Sequence, residues 1–139
     1  MTHVLVVDDD TSVRDTLARM IEHAGAVAVA CSGAHDALRV LGQRRFSLLI
    51  TDFDMPGLTG LELAQEALRL QSNLPVVVTS GMPIGAKVCE AGLEFLPKPF
   101  ALEDVVELVR SVTLAHSRPV RVAAAPRSEN DDDSETGAQ

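Results

Sequence analysis

The stretch FSLLITDFDMPG, residues 46–57, decides the fold. An apolar run stops at Asp52, a second acid follows at Asp54, and Met55, Pro56 and Gly57 break the chain. A short apolar run closed by turn formers reads as a buried strand. Pro56 has no N–H to continue a ladder, and Gly57 tolerates backbone angles that other residues avoid. The expectation is a strand that delivers Asp52 to a sheet edge, with the turn leaving its carboxylate exposed.

The same grammar repeats on both sides. HVLVV (3–7) ends at Asp8 and reads as a buried strand. TSVRDTLARMIEHAG (11–25) places Val13, Leu17, Met20, Ile21 and Ala24 on one helical face. Ser12 with Asp15 resembles a capping box, and Gly25 marks the stop. AVAVAC (26–31) is a weak strand, and SGAHDALRVLGQ (32–43) a helix with Ser32 as its cap. After Asp52 come a helix capped by Thr59, the strand LPVVVTSG (74–81), a short helix ended by Gly92, the brief strand EFLP (94–97) and a helix over 101–115. Five strands alternating with helices predict an α/β domain with a parallel sheet covered on both faces.

The 139 residues suit one domain. They are 46% hydrophobic but only 3% aromatic, with no Trp or Tyr, so the core is built from Val, Leu, Ile and Ala. A net charge of −8 repels phosphate backbones and argues against direct nucleic-acid binding. Cys31 and Cys89 match no metal spacing and read as semi-buried thiols in a reducing cytosol. His3, His23, His35 and His116 show no ligand spacing and read as surface residues. The N-terminus lacks a basic flank and a signal-peptide apolar run. No apolar stretch approaches the roughly 20 residues that span a bilayer. The chain is expected to be cytoplasmic, with no membrane insertion. From His116 the periodicity is lost and Pro, Ser and acids accumulate, so the division is a domain over 1–115 and a disordered acidic tail over 116–139.

In a parallel sheet, groups that act on ligands gather beyond the carboxyl ends of the strands. There the sequence puts Asp8, Asp9 and Asp10, then Asp52 and Asp54, then Thr79, Ser80 and Gly81, then Lys98 between Pro97 and Pro99. Crowded carboxylates stay ionised when a cation joins them. Asp8, Asp9 and Asp52 would form a hard oxygen site suited to Mg²⁺, which keeps waters and a phosphoryl oxygen among its ligands. Lys98 offers a point charge for phosphate, and Thr79 a hydroxyl. Asp10 reads as the cap of the first helix. The set points to phosphoryl chemistry with a carboxylate nucleophile.

Four motifs in order, VLVVDDD, LLITDFDMPGLTG, VVVTSG and FLPKPF, resemble the receiver domain of bacterial response regulators, over roughly residues 3–115. The resemblance is to the stand-alone, chemotaxis-regulator-like single-domain type. The resemblance implies a doubly wound, flavodoxin-like sheet in the order 2-1-3-4-5. It implies Asp52 as phosphoacceptor from a phosphohistidine of a sensor histidine kinase or histidine phosphotransfer protein. Asp8, Asp9, Asp52 and the backbone carbonyl of Asp54 would hold Mg²⁺. Lys98 would pair with the phosphoryl group, next to a cis peptide before Pro99. Thr79 and Phe95 would form the switch pair, and the Asp54 side chain would tune phosphoryl lifetime. The output would be binding of a downstream protein target, phosphate relay, or homodimerisation on phosphorylation.

The segment from Thr79 to Lys98 is shorter than in the family, so the fourth helix should be truncated, in agreement with Pro83 and Gly85. The last helix is apolar on a broad arc, Leu102, Val105, Val106, Leu108, Val109 and Val112, which either covers the sheet or leaves part for an interface. Two rival functions remain. LLITDFDMPG also resembles the Asp-x-Asp start of haloacid-dehalogenase-type phosphatases, but here the further acids precede it. A degenerate receiver that only docks is opposed by the intact Asp8, Asp9, Asp52, Thr79 and Lys98.

Overall fold

The computed structural model describes residues 1–117, with side-chain surroundings through Leu114. The expectation for the acidic tail from residue 118 onward lies outside the described residues. The elements run β1 (His3–Val7), α1 (Thr11–His23), β2 (Val27–Cys31), α2 (Ala34–Leu41), β3 (Leu48–Asp52), α3 (Gly60–Leu70), β4 (Val76–Ser80), α4 (Gly85–Glu90), β5 (Glu94–Pro97) and α5 (Leu102–Ser117). All strand pairs are parallel, and the sheet order is β2-β1-β3-β4-β5, as predicted. His116 and Ser117, assigned to the tail by composition, continue α5.

The two-residue period of the strands splits the core into two layers. Leu5, Val7, Leu49, Val76 and Val78 pack with Ala34, Ala37 and Leu41 of α2, Leu63, Ala64 and Ala67 of α3, and Val88 of α4. Val4, Val6, Leu48, Ile50 and Val77 pack on the opposite face with Leu17 and Ile21 of α1 and Val105, Val109 and Val112 of α5. Central strands β3 and β4 are buried at every residue, whereas edge strand β2 is exposed at Val27 and Ala30 and half-buried at Ala28, Val29 and Cys31. The broad arc of α5 therefore covers the sheet, and Leu102 and Leu114 remain exposed.

The predicted Asp10 cap of α1 is present and takes the place of the box read at Ser12 with Asp15: the Asp10 backbone is extended, and its carboxylate accepts the Ser12 and Val13 N–H groups at 2.9 and 3.3 Å. A carboxylate one residue ahead of the helix satisfies two orphan donors, so Ser12 becomes a helical residue. Gly33 occupies the cap position of α2 with no side-chain bond, so Ser32 does not cap it. The Thr59 cap of α3 is present and closes a full capping box with Glu62. α4 is six residues long, as the short segment predicted, and Gly92 follows it at φ +81°. Cys31 is half-buried as expected, but Cys89 is exposed on α4.

Candidate functional site at the carboxyl edge of the sheet

The sheet register aligns the acids. Val7 pairs with Thr51, and Asp52 pairs with Thr79, so Asp8, Asp52 and Thr79 occupy one row across β1, β3 and β4. Ser80 pairs with Pro97, which brings Lys98 just beyond that row. Side-chain oxygens of Asp8, Asp9 and Asp52 lie within 4.8 Å of one another. The Lys98 ammonium donates to Asp8 Oδ2 and to Asp52 Oδ1, each at 3.1 Å. The second Asp52 oxygen accepts no hydrogen bond among the described residues.

Local bonds hold each group. The Asp10 N–H donates to Asp8 Oδ1 at 2.9 Å, and the Arg14 guanidinium donates to the Asp8 carbonyl at 2.7 Å. The Lys98 N–H donates to the Ser80 carbonyl at 3.0 Å, and the peptide from Lys98 to Pro99 is cis. The Phe53 N–H donates to the Thr79 carbonyl at 2.9 Å, extending the β3–β4 ladder past Asp52. Arg14 was not singled out in the sequence, because its role depends on the helix turning it back onto the end of β1.

One expectation about access is overturned. The turn at Met55, Pro56 and Gly57 does not leave the Asp52 carboxylate exposed: Asp52 is 6% exposed and Asp8 2%, while Asp9 is exposed. The chain does turn away, with Gly57 at φ +86°, but α3 then returns with Gly60 against the backbone at the end of β3. Burial accordingly pushes the Asp52 carboxyl above its ordinary value, aided by repulsion from Asp8 and Asp54 and opposed by Lys98. For Lys98, burial disfavours the charge, but Asp52 and Asp8 outweigh it and hold the ammonium above its ordinary pKa. The lysine is thus a firm cation between two buried acids.

Thr79 is 1% exposed, and its hydroxyl makes no hydrogen bond among the described residues. Phe95 pairs in register with Val78, one row behind Thr79, and is half-buried on the layer that includes α4. Its ring lies against Gly85, where a Cβ would approach Phe95 Cδ2 to 3.1 Å. The structure therefore places the two predicted switch residues on neighbouring strands without joining them. Asp54 is exposed. On the rim, the Lys87 ammonium of α4 stands 5.4 Å over the Phe53 ring, a contact with no sequence signal. A cavity of about 810 Å³ lies at the opposite end of the sheet, lined by Phe46, Leu74, Leu93 and Val112 among others, and contains none of these groups.

The donor set fits a small hard cation. Clustered carboxylate oxygens, two of them from buried acids, leave negative charge that one lysine does not balance. The fold is that of doubly wound α/β proteins, which bind ligands beyond the carboxyl ends of their strands, where these groups gather. Within that class the comparisons are specific. The family described as "Response regulator receiver domain" matches residues 4–110, and the chain belongs to that family. It is 33% identical over 110 residues to the DNA-binding transcriptional regulator NtrC of Salmonella typhimurium, covering 76% of this chain and 24% of that protein. It is 30% identical over 113 residues to the transcriptional regulatory protein FixJ of Bradyrhizobium diazoefficiens, covering 78% of this chain and 55% of that protein. The chain thus spans between about a quarter and about half of these relatives' length. The chemotaxis response regulator CheY4 of Vibrio cholerae superposes with a TM-score of 0.71 at 28% identity, covering 81% of this chain and 98% of that one. Among the described residues, no helix is long and apolar enough to cross a membrane.

Proposed function

We propose that residues 1–115 form a receiver switch whose phosphoacceptor is Asp52. The carrying observation is the buried Asp52 carboxylate within 4.8 Å of Asp8 and Asp9 oxygens, with Lys98 bonded to it at 3.1 Å. Asp8, Asp9, Asp52 and the Asp54 carbonyl are the proposed Mg²⁺ ligands. When bound, Mg²⁺ would offset the charge that builds on a transferring phosphoryl group. The Asp52 oxygen with no hydrogen-bond partner is the nucleophile. It forms a bond to phosphorus as the P–N bond to the partner's histidine breaks. The imidazole leaves with that electron pair, neutral where its other nitrogen already carries a proton. Lys98, already bonded to Asp8, keeps its charge through the transfer and can move onto a phosphoryl oxygen.

The unpartnered Thr79 hydroxyl is the group available to follow the new charge, and Phe95 on β5 is the ring that responds. The donor is a phosphohistidine of a sensor kinase or phosphotransfer protein. The output is binding of a protein target, phosphate relay or dimerisation in the cytoplasm. The chemistry acts on the chain's own aspartate and turns over no separate substrate, so the role is signalling rather than enzymatic. Intact mass after incubation with acetyl phosphate, with and without Mg²⁺, tests the reading on wild type and Asp52→Ala. One Mg²⁺-dependent phosphoryl adduct on wild type, absent from Asp52→Ala, is expected. No adduct on wild type refutes a working receiver.

A further inference from the structure

The first residue of α3 presses on the backbone of Asp52 itself. A Cβ built on Gly60 would lie 2.5 Å from the Asp52 carbonyl oxygen, 2.9 Å from the Phe53 Cα and 3.1 Å from the Asp52 carbonyl carbon. Carbon contacts are favourable only near about 3.5–4.0 Å, so no side chain fits there without moving β3. Among the described glycines, this is the one whose Cβ would come within 3 Å of a neighbour. The Gly60 N–H also donates to the Phe53 carbonyl at 2.9 Å. The loop over residues 54–59 therefore leaves the end of β3 and returns to the same point. It carries Asp54, and its turn is set by Gly57 at φ +86°.

Gly60 is in turn held by its neighbours along α3. The Glu62 N–H donates to Thr59 Oγ1 at 3.2 Å, and the Thr59 N–H donates to Glu62 Oε1 at 2.9 Å. A reciprocal box of this kind fixes the first helical turn. Without it, the bond from the Gly60 N–H to the Phe53 carbonyl is left to hold Gly60 against the end of β3. Neither side chain of the box makes a hydrogen bond or ion pair with Asp8, Asp9 or Lys98.

We propose that Thr59, Gly60 and Glu62 form a clasp that positions the Asp52 carboxylate and the following loop for cation binding. These are positioning residues. They set how well the site holds Mg²⁺ rather than whether the domain folds. The inference rests on the reading of Asp52 as a cation ligand. Supports of metal ligands commonly cost about 10–100-fold in affinity when removed. Loss of the clasp should fall near the lower end, about tenfold.

The test is calorimetric Mg²⁺ titration of the full chain, paired with the rate of adduct formation from acetyl phosphate. Thr59→Ala and Glu62→Ala remove one half of the box each. Thr59→Ser and Glu62→Gln keep an oxygen in each position and should restore binding. Val109→Ala, a core truncation in α5, controls for destabilisation alone. The expected result is about tenfold weaker Mg²⁺ binding in both alanine variants, near-normal binding in both conservative ones, and none of the loss in Val109→Ala. Unchanged affinity in Thr59→Ala while wild type binds overturns the clasp alone, as does an equal loss in Val109→Ala. Absence of Mg²⁺ binding by wild type overturns the reading of the acid site, and the clasp with it.

Discussion

Asp52→Asn should stabilise the metal-free protein. The carboxylate is 6% exposed, bonded to Lys98 at 3.1 Å, and within 4.8 Å of an Asp8 oxygen. At an effective dielectric of about 20, a unit-charge attraction at the Lys98 distance is about 5 kcal/mol, and a repulsion at the Asp8 limit about 3.5 kcal/mol. Withdrawing a carboxylate from water costs several kcal/mol more, and Asp9 adds a screened repulsion. The sum is unfavourable to the ionised form, in keeping with the upward displacement of the Asp52 pKa by burial. Asparagine removes the charge and leaves Lys98 bonded to Asp8 at 3.1 Å.

The expected gain is about 2 kcal/mol at neutral pH, a rise in Tm of roughly 5–10 °C for a domain of this size. With no Trp or Tyr in the chain, far-UV circular dichroism or calorimetry is the assay. The pH dependence fixes the sign. A carboxyl whose folded pKa is raised stabilises the fold when protonated, and that contribution is lost as pH rises through the folded pKa. The gap between variant and wild type should therefore be full at pH 7 and shrink as pH falls toward the unfolded value of 3.8. Added Mg²⁺ should raise the Tm of wild type and much less that of the variant. A metal-free Asp52→Asn protein that melts below wild type at pH 7 would refute the reasoning, because the Lys98 ion pair would then outweigh repulsion and burial together.

Other outcomes follow from single contacts. Gln71→Ala should lower the urea midpoint by the equivalent of about 2–4 kcal/mol. The buried amide accepts the Phe46 N–H at 3.1 Å and donates to the Leu41 and Arg44 carbonyls at 2.9 and 2.7 Å, and its loss strands them. Adduct formation at Asp52 should persist in that variant, and its loss would contradict a purely structural role for Gln71. Thr79→Val should leave unphosphorylated stability unchanged or raised by up to about 1 kcal/mol, because the buried hydroxyl has no partner to lose. The same variant should still take phosphate while the NMR response of the Phe95 ring disappears, and a wild-type response would remove Thr79 from the switch.

What was legible in the sequence has a common cause. Parallel strands covered on both faces must be apolar at nearly every position, so their ends are visible wherever a polar residue interrupts the run. Asp8, Asp52, Thr79 and Lys98 are such stops, and strand register alone assembles three of them into one row. What was missed depends on contacts that no local pattern encodes. Asp10 and the pair Ser12 with Asp15 both read as caps of α1, and only the extended backbone at Asp10 decides between them. Gln71 acts on residues 25 to 30 positions away and is indistinguishable in sequence from a surface glutamine.

The burial of Asp52 is the instructive failure. The Met55-Pro56-Gly57 break does turn the chain away, and read locally that exposes the acid. Exposure, however, is decided by what comes back, and α3 returns with a glycine at the one position where no side chain fits. The signal was present in Thr59, Gly60 and Glu62, a capping sequence that starts a helix on a glycine despite that residue's poor helix propensity. A helix that accepts that penalty in its first turn does so for close approach. The backbone it approaches here carries the proposed nucleophile, so the same glycine that weakens α3 lets the helix start directly against the end of β3.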